Sequence, residues 1–315
     1  MTDHPSDASD ARGLDPAGTD LPEAARRRVS EGAFTSGLSV ADFAACLQMG
    51  LEPVGFVQGY CVMQWQWYGM NSPFGAFGMS ASSSTQRPSG YAERYTCPHG
   101  FVSNEHRTWG ENFEQTPLED AWNAGFATAY SRMMEETSDL GAHGVIGVVD
   151  STQRLTEGGL LEFRIQGTAV KPANAPTDSK VSPWSTYLAG QRLTKLIEAG
   201  YAPVSVVATV SSVRVWAYCM TEYLTEGTNI FTTASPTGQE ITQLVNAQMK
   251  VREIARERVR RQLGPDTLHG ARMTNEEYEV GKGDAEMQCT LRGNRVRRFQ
   301  EFEPLLAPRP TVRLS

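Results

Sequence analysis

Past Leu38 the apolar residues recur with two spacings. Phe43 and Leu47 stand one helical turn apart and are followed by Gly50, which predicts a short helix with a glycine stop. Met63, Trp65 and Trp67 then alternate with Gln64 and Gln66, the mark of a half-buried strand. From about Pro117 to Asp139 the spacing returns to four. Leu118, Trp122, Phe126, Tyr130 and Met134 line one face of a long helix, with Thr116 suited to the N-cap and Pro117 to the first helical position. The helix ends at Leu140-Gly141. The aliphatic run Val145–Val149 predicts a strand, and "LEFRIQGTAVK" a second one ending near Gly167.

The same order recurs. "LSVADFAACLQMGLEPVGFV" from Leu38 returns as "LAGQRLTKLIEAGYAPVSVV" from Leu188, an offset of 150 that pairs Gly50 with Gly200 and Pro53 with Pro203. In the second copy Leu193 and Ile197 form the short-helix stripe. Val213, Val215 and Ala217 alternate with Arg214, Trp216 and Tyr218 along the strand. The second long helix is expected from about Gln239 to Gln262, its stripe being Ile241, Val245, Met249, Ile254, Val259 and Leu263. Leu263-Gly264 matches Leu140-Gly141 at an offset of 123, and Gly293 matches Gly167 at 126. Each copy therefore reads as helix, strand, long helix, strand, strand, an α+β unit with a long helix on a small, mainly antiparallel sheet.

Composition adds boundaries. Residues 1–35 are rich in Asp, Ala, Gly and Pro, which predicts a disordered tail. The first unit is expected over 36–171, a proline-rich linker over 172–184, the second unit over 185–300 and a tail over 301–315. Between strand and long helix the first unit carries a long insert, residues 69–116, where the second spends roughly half as many. A net charge of -7 in 315 residues speaks against nucleic acid as a partner. Absence of a long apolar run speaks against membrane insertion. Five scattered cysteines and no evident secretory signal fit a reduced, cytoplasmic protein.

"LGAHGVIGVVD" and "QGTAV" carry a likeness to a known family. Leu140, Gly141, Ala142, Gly144, Val145, Ile146, Gly147 and Val148, with Gly167, Thr168, Ala169 and Val170, resemble the two motifs of the YbjQ family (UPF0145, heavy-metal-binding domains). His143 stands where that family has Asn or Asp, and Gln166 where Tyr is frequent. The second copy is degenerate, keeping Leu263, Gly264, Gly270, Gly293 and Val296. The resemblance implies two tandem dodecin-like units that assemble into homo-oligomeric rings. It implies no defined ligand set.

Candidate chemistry is thin. Cys97, His99 and His106 in the insert offer a thiolate and two imidazoles, a donor set for Zn²⁺ or Cu²⁺, with Glu105 or water as a fourth ligand. Their spacing is that of no known finger, and a surface loop holding them without a metal is the competing reading. His143 fits a turn better than a ligand role, standing where the second copy has Asp266. No nucleophile elbow, phosphate loop or dinucleotide fingerprint is present, so an enzyme is not expected. Arg252, Arg256 and Arg260, interleaved with Glu253 and Glu257, read as a solvated helix face or a subunit contact. Trp122, Phe126 and Tyr130, with Trp65, Trp67, Trp216 and Tyr218, line either a core, an interface or a hydrophobic ligand pocket. The expected function is a non-enzymatic, oligomeric binding or scaffold protein, the alternative a heavy-metal binder using the insert.

Overall fold

The computed structural model describes residues 36–64, 95–96, 102–103, 111–155, 160–174, 182–218, 221, 224–225, 238, 240–281 and 284–300. Among these, four helices are α1 (Val40–Gln48), α2 (Thr116–Asp139), α3 (Gly190–Glu198) and α4 (Thr242–Leu263). Sheet one runs β1 (Leu51–Gln64), β6 (Leu160–Pro172), β5 (Gly144–Leu155), β7 (Trp184–Ser185). Sheet two runs β4 (Asn112–Glu114), β8 (Tyr201–Val215), β10 (Asp284–Arg298), β9 (Thr267–Gly281), and β2 (Tyr95–Thr96) pairs with β3 (Val102–Ser103). Among the described residues every pairing is antiparallel except that of β5 with β7. The protein is α+β.

Both sheets have a strand order that follows from their sequence order. The strand before the long helix pairs with the last strand of its half, which pairs with the middle one: β1-β6-β5 and β8-β10-β9. The layers stack as sheet one, α2, sheet two, α4. In α4 the buried residues Ala247, Val251, Ala255 and Val259 repeat every four positions and meet Val207, Val213, Met287, Cys289 and Leu291 of β8 and β10. In α2 two stripes are buried. One core joins Trp122, Phe126, Ala129 and Met133 to Val57, Phe163 and Ile165 of sheet one and to Val206, Ala208 and Val210 of sheet two. Full burial of such side chains contributes roughly 1.5–3 kcal/mol each, so the two halves share their largest apolar gain.

Small residues set the spacing between α2 and sheet one. A Cβ on Gly59 would fall on the Ala129 carbonyl oxygen, and one on Gly125 would enter the Phe163 ring. The short helices α1 and α3 close one end, where Cys46, Leu193 and Leu196 pack with Ile146, Val170 and Val296.

Several expectations need correction. Ala45 and Cys46, not Phe43 and Leu47, face the core in α1, and Leu193 and Leu196 do so in α3 while Ile197 is exposed. The cap of α2 is Gln115, whose amide donates to the Ser212 carbonyl, so Thr116 is the first helical residue and Pro117 the second. Val245 and Met249 lie in the open, because the sheet-facing stripe of α4 is built of smaller residues that permit a close approach. That helix begins at Thr242 rather than near Gln239. β8 is buried on both faces from Val206 to Val213, since a helix lies on each side, and it ends at Val215 before Ala217. Gly167 and Gly293 stand inside their strands, which continue beyond them. The linker bounds fall within sheet one: Pro172 belongs to β6 and Trp184 to β7. The insert reaches the other half, where β4 pairs with Val213–Val215 as an edge strand. Trp65, Trp67 and both tails lie outside the described residues.

Candidate functional site

The hinge after α2 is built by its glycines. Gly141 turns the chain at φ 66°, its amide donating to the Ser138 carbonyl at 2.9 Å. The His143 amide donates to Val170 (2.9 Å) and its carbonyl accepts from Trp184 (3.1 Å), so its backbone ties β5 to β6 and to the start of the second half. Gly144 leaves room for the Trp184 ring. Gly147, at φ 61°, sits in a bulge of β5, and its amide donates to Leu188. Gly167 leaves room for the Val145 side chain. In the second half Gly264 (φ 57°) ends α4, Gly270 (φ 65°) lies in a bulge of β9 opposite Gly293 of β10, and a Cβ on Gly293 would lie 2.7 Å from Leu268.

Asp266 occupies the position matching His143, with a different role. It accepts from Arg295 Nε (2.6 Å) and from Arg297 Nε and Nη2 (2.8 and 3.1 Å). Arg297 and Arg295 together hold its carboxyl down at about 2.

The polar groups that converge lie in the seam between the halves. At one end Glu119 of α2, fully buried, accepts from the Ser212 amide of β8 and pairs with Arg258 of α4. Arg258 also donates to the Val210 carbonyl (3.0 Å) and to Glu114 (2.7 Å), so one guanidinium links α4, β8, β4 and α2. Burial lifts the Glu119 carboxyl to about 7 against the opposing pull of the Ser212 amide and Arg258. In the middle Asp150 of β5 lies 2.8 Å from Arg292 Nε of β10, and burial raises its carboxyl despite Arg292. The Tyr187 hydroxyl sits beside that carboxylate, and burial followed by the Asp150 charge pushes its ionisation far up. At the far end Arg154 bonds Glu286 and Gln288 (2.9 Å to the latter) and lies 4.1 Å over the Tyr278 ring.

A chain of hydroxyls and amides runs alongside. Ser185 Oγ accepts from the Val206 amide (2.9 Å) and meets the Tyr130 hydroxyl at 2.8 Å. Asn294 Oδ1 accepts from Thr186 Oγ1 and from the Tyr187 amide (2.8 and 2.7 Å). Chemically the seam is a joint: each acid meets a cation from the other half, in the partly dry setting where such pairs are most costly to break.

The expected metal donors Cys97, His99 and His106 lie outside the described residues. Among the described residues no group of three or more His, Cys, Asp or Glu could hold a metal. Cys46, Cys61 and Cys289 are free thiols whose burial raises their pKa. Trp122, Phe126 and Tyr130 stack along α2 within the core, Trp216 packs edge-on to Phe113, and Tyr218 is exposed. Arg260 and Arg261 pair with Glu257 on the open side of α4, and Arg252 reaches Asn275 of β9. Sequence reasoning missed Glu119, Asp150 and Arg292, and counted Arg258 with the solvated arginines of the second long helix, whereas it turns into the seam. The two acids alone carried a signal, each standing directly after an apolar residue, Glu119 after Leu118 and Asp150 after Val149.

No family model matches the chain. It is similar to the encapsulin nanocompartment protein Rv1762c of Mycobacterium tuberculosis, at 28% identity over 182 residues, covering 56% of this chain and 55% of that protein. The chain thus spans about half the length of the curated relative it matches. No helix among the described residues is long and apolar enough to cross a membrane.

Proposed function

We propose that this chain is a non-enzymatic, self-assembling scaffold protein of the cytoplasm, made of two fused YbjQ-like units of dodecin-like type that join further copies into a homo-oligomeric ring. The observation that carries the reading is the position of α2, whose Trp122–Phe126–Tyr130 stripe is buried between its own sheet and β8 of the other half. A unit that buries a helix against its neighbour's sheet is made for unit-to-unit packing, as in stacked repeats. The name of the mycobacterial relative, that of a nanocompartment protein, supports an assembling role. The charged groups of the seam, matched pairwise across it, serve cohesion rather than turnover. Size-exclusion chromatography with light scattering tests the reading: a multiple of the chain mass is expected at micromolar concentration, and a strict monomer would overturn it.

A further inference from the structure

The contact between the halves has four parts. The first half supplies a long helix, α2, and the outer edge of its middle strand, β5. The second supplies one face of its sheet and the segment leading into its short helix. α2 covers the even-numbered face of β8, at Val206, Ala208 and Val210. The lead-in segment Trp184–Leu188 lies along β5: the Thr186 amide donates to the Val145 carbonyl (2.9 Å), and the Gly147 and Val148 amides donate to the Leu188 and Thr186 carbonyls (2.9 and 3.0 Å).

Each part has a counterpart that the described residues leave open. At the 150-residue offset, Val206, Ala208, Val210 and Ser212 of β8 correspond to Phe56, Gln58, Tyr60 and Val62 of β1, which point away from α2, with Tyr60 and Val62 each 42% exposed. At the 123-residue offset, Trp122 and Phe126 of α2 correspond to Val245 and Met249, both on the open side of α4, Met249 62% exposed. β9 corresponds to β5, beginning at Thr267 as β5 begins at Gly144, with Gly270 matching Gly147 in sequence and in positive φ. It ends sheet two, and among the described residues no strand pairs with its outer edge. Fifteen residues of such edge form a template for added backbone. Thr186, Tyr187 and Leu188 correspond to Ser36, Gly37 and Leu38. That last segment is already seated as its counterpart is: the Gly37 amide donates to Thr168 Oγ1 (3.2 Å), as the Tyr187 amide does to Asn294.

We infer that a second copy of this chain completes the contact head to tail. Its Ser36–Leu38 segment lies along the β9 edge at Leu268–Ala271, and the outer face of its sheet one, at Tyr60 and Val62, covers α4 at Val245 and Met249. The open pairs match the filled pairs part for part, and both parts that one copy lacks are offered by the other in a single docking event. A contact between two different surfaces repeats from copy to copy, closing into a ring where its rotation allows. In the filled contact the Val148 amide meets the Thr186 carbonyl, so the Ala271 amide meets that of Ser36.

The inference rests on the assembly reading and assigns its surfaces. Two full-length variants, Ser36→Cys and Ala271→Cys, are made in a background where Cys97 and Cys219 are Ser, then mixed and treated with a short bismaleimide. A crosslinked band of twice the chain mass is expected from the mixture and from neither variant alone. If light scattering shows an oligomer but the mixture gives no such band, the surface assignment is overturned while the assembly reading stands. If light scattering shows a single chain at micromolar concentration, both fall.

Discussion

Two glycines of similar appearance in the sequence are held for different reasons, and their alanine variants separate them. Gly59 faces α2 so closely that a methyl group would occupy the place of the Ala129 carbonyl oxygen, and backbone on both sides leaves nothing to move aside. Gly59→Ala is expected to cost about 3 kcal/mol in urea unfolding, at the upper end of overpacking effects. Gly141 has open space around its Cα but a positive φ, so Gly141→Ala is expected to cost only about 1 kcal/mol. Equal losses would contradict this division. Gly141 was legible from its place after an apolar stripe, since a helix stop is local chemistry. Gly59 was not, because its reason is a helix some 70 residues further on, which no local pattern encodes.

Among the elements, α2 and α4 show where periodicity informs and where it misleads. Both helices, their glycine stops and β5 followed from local spacing, and β9 from the repeat. The buried face did not follow in α4. Hydrophobicity points to Val245 and Met249, whereas the sheet takes Ala247 and Ala255, which count for little on a hydrophobic scale but permit close packing. The joint of α2, β8 and α4 was illegible for another reason: Glu119 and Arg258 are 139 residues apart.

That joint has a pH signature. The Glu119 carboxyl titrates at about 7 in the folded chain against an ordinary 4.5, so the folded state holds a proton that the unfolded state releases. The acid is then least unfavourable below about 4.5, and stability falls as pH rises from there through 7. Asp150, also raised by burial, acts with the same sign. Asp266 acts oppositely, its stabilisation being lost only as pH falls towards 2. Urea midpoints between pH 4.5 and 7.5 are expected to decline for the native chain and to decline less for Glu119→Gln. The same slope in both would remove Glu119 from this role. On the outer face of sheet one, Tyr60→Glu is expected to shift the chain towards lower mass in light scattering while leaving the chain folded, since Tyr60 is 42% exposed and belongs to no core cluster among the described residues. An unchanged mass would mean that this face stays open in the assembly.

For the whole molecule, the proposed function makes the chain one and a repeated part of a larger object. Its second half fills the contact that the first half offers, and its own last helix and edge strand offer that contact again. The most direct test is the solution mass of the full-length protein by light scattering over a micromolar dilution series. A mass at least twice 34.6 kDa, falling only at the lowest concentrations, is the expected result. A mass of 34.6 kDa throughout would contradict the account.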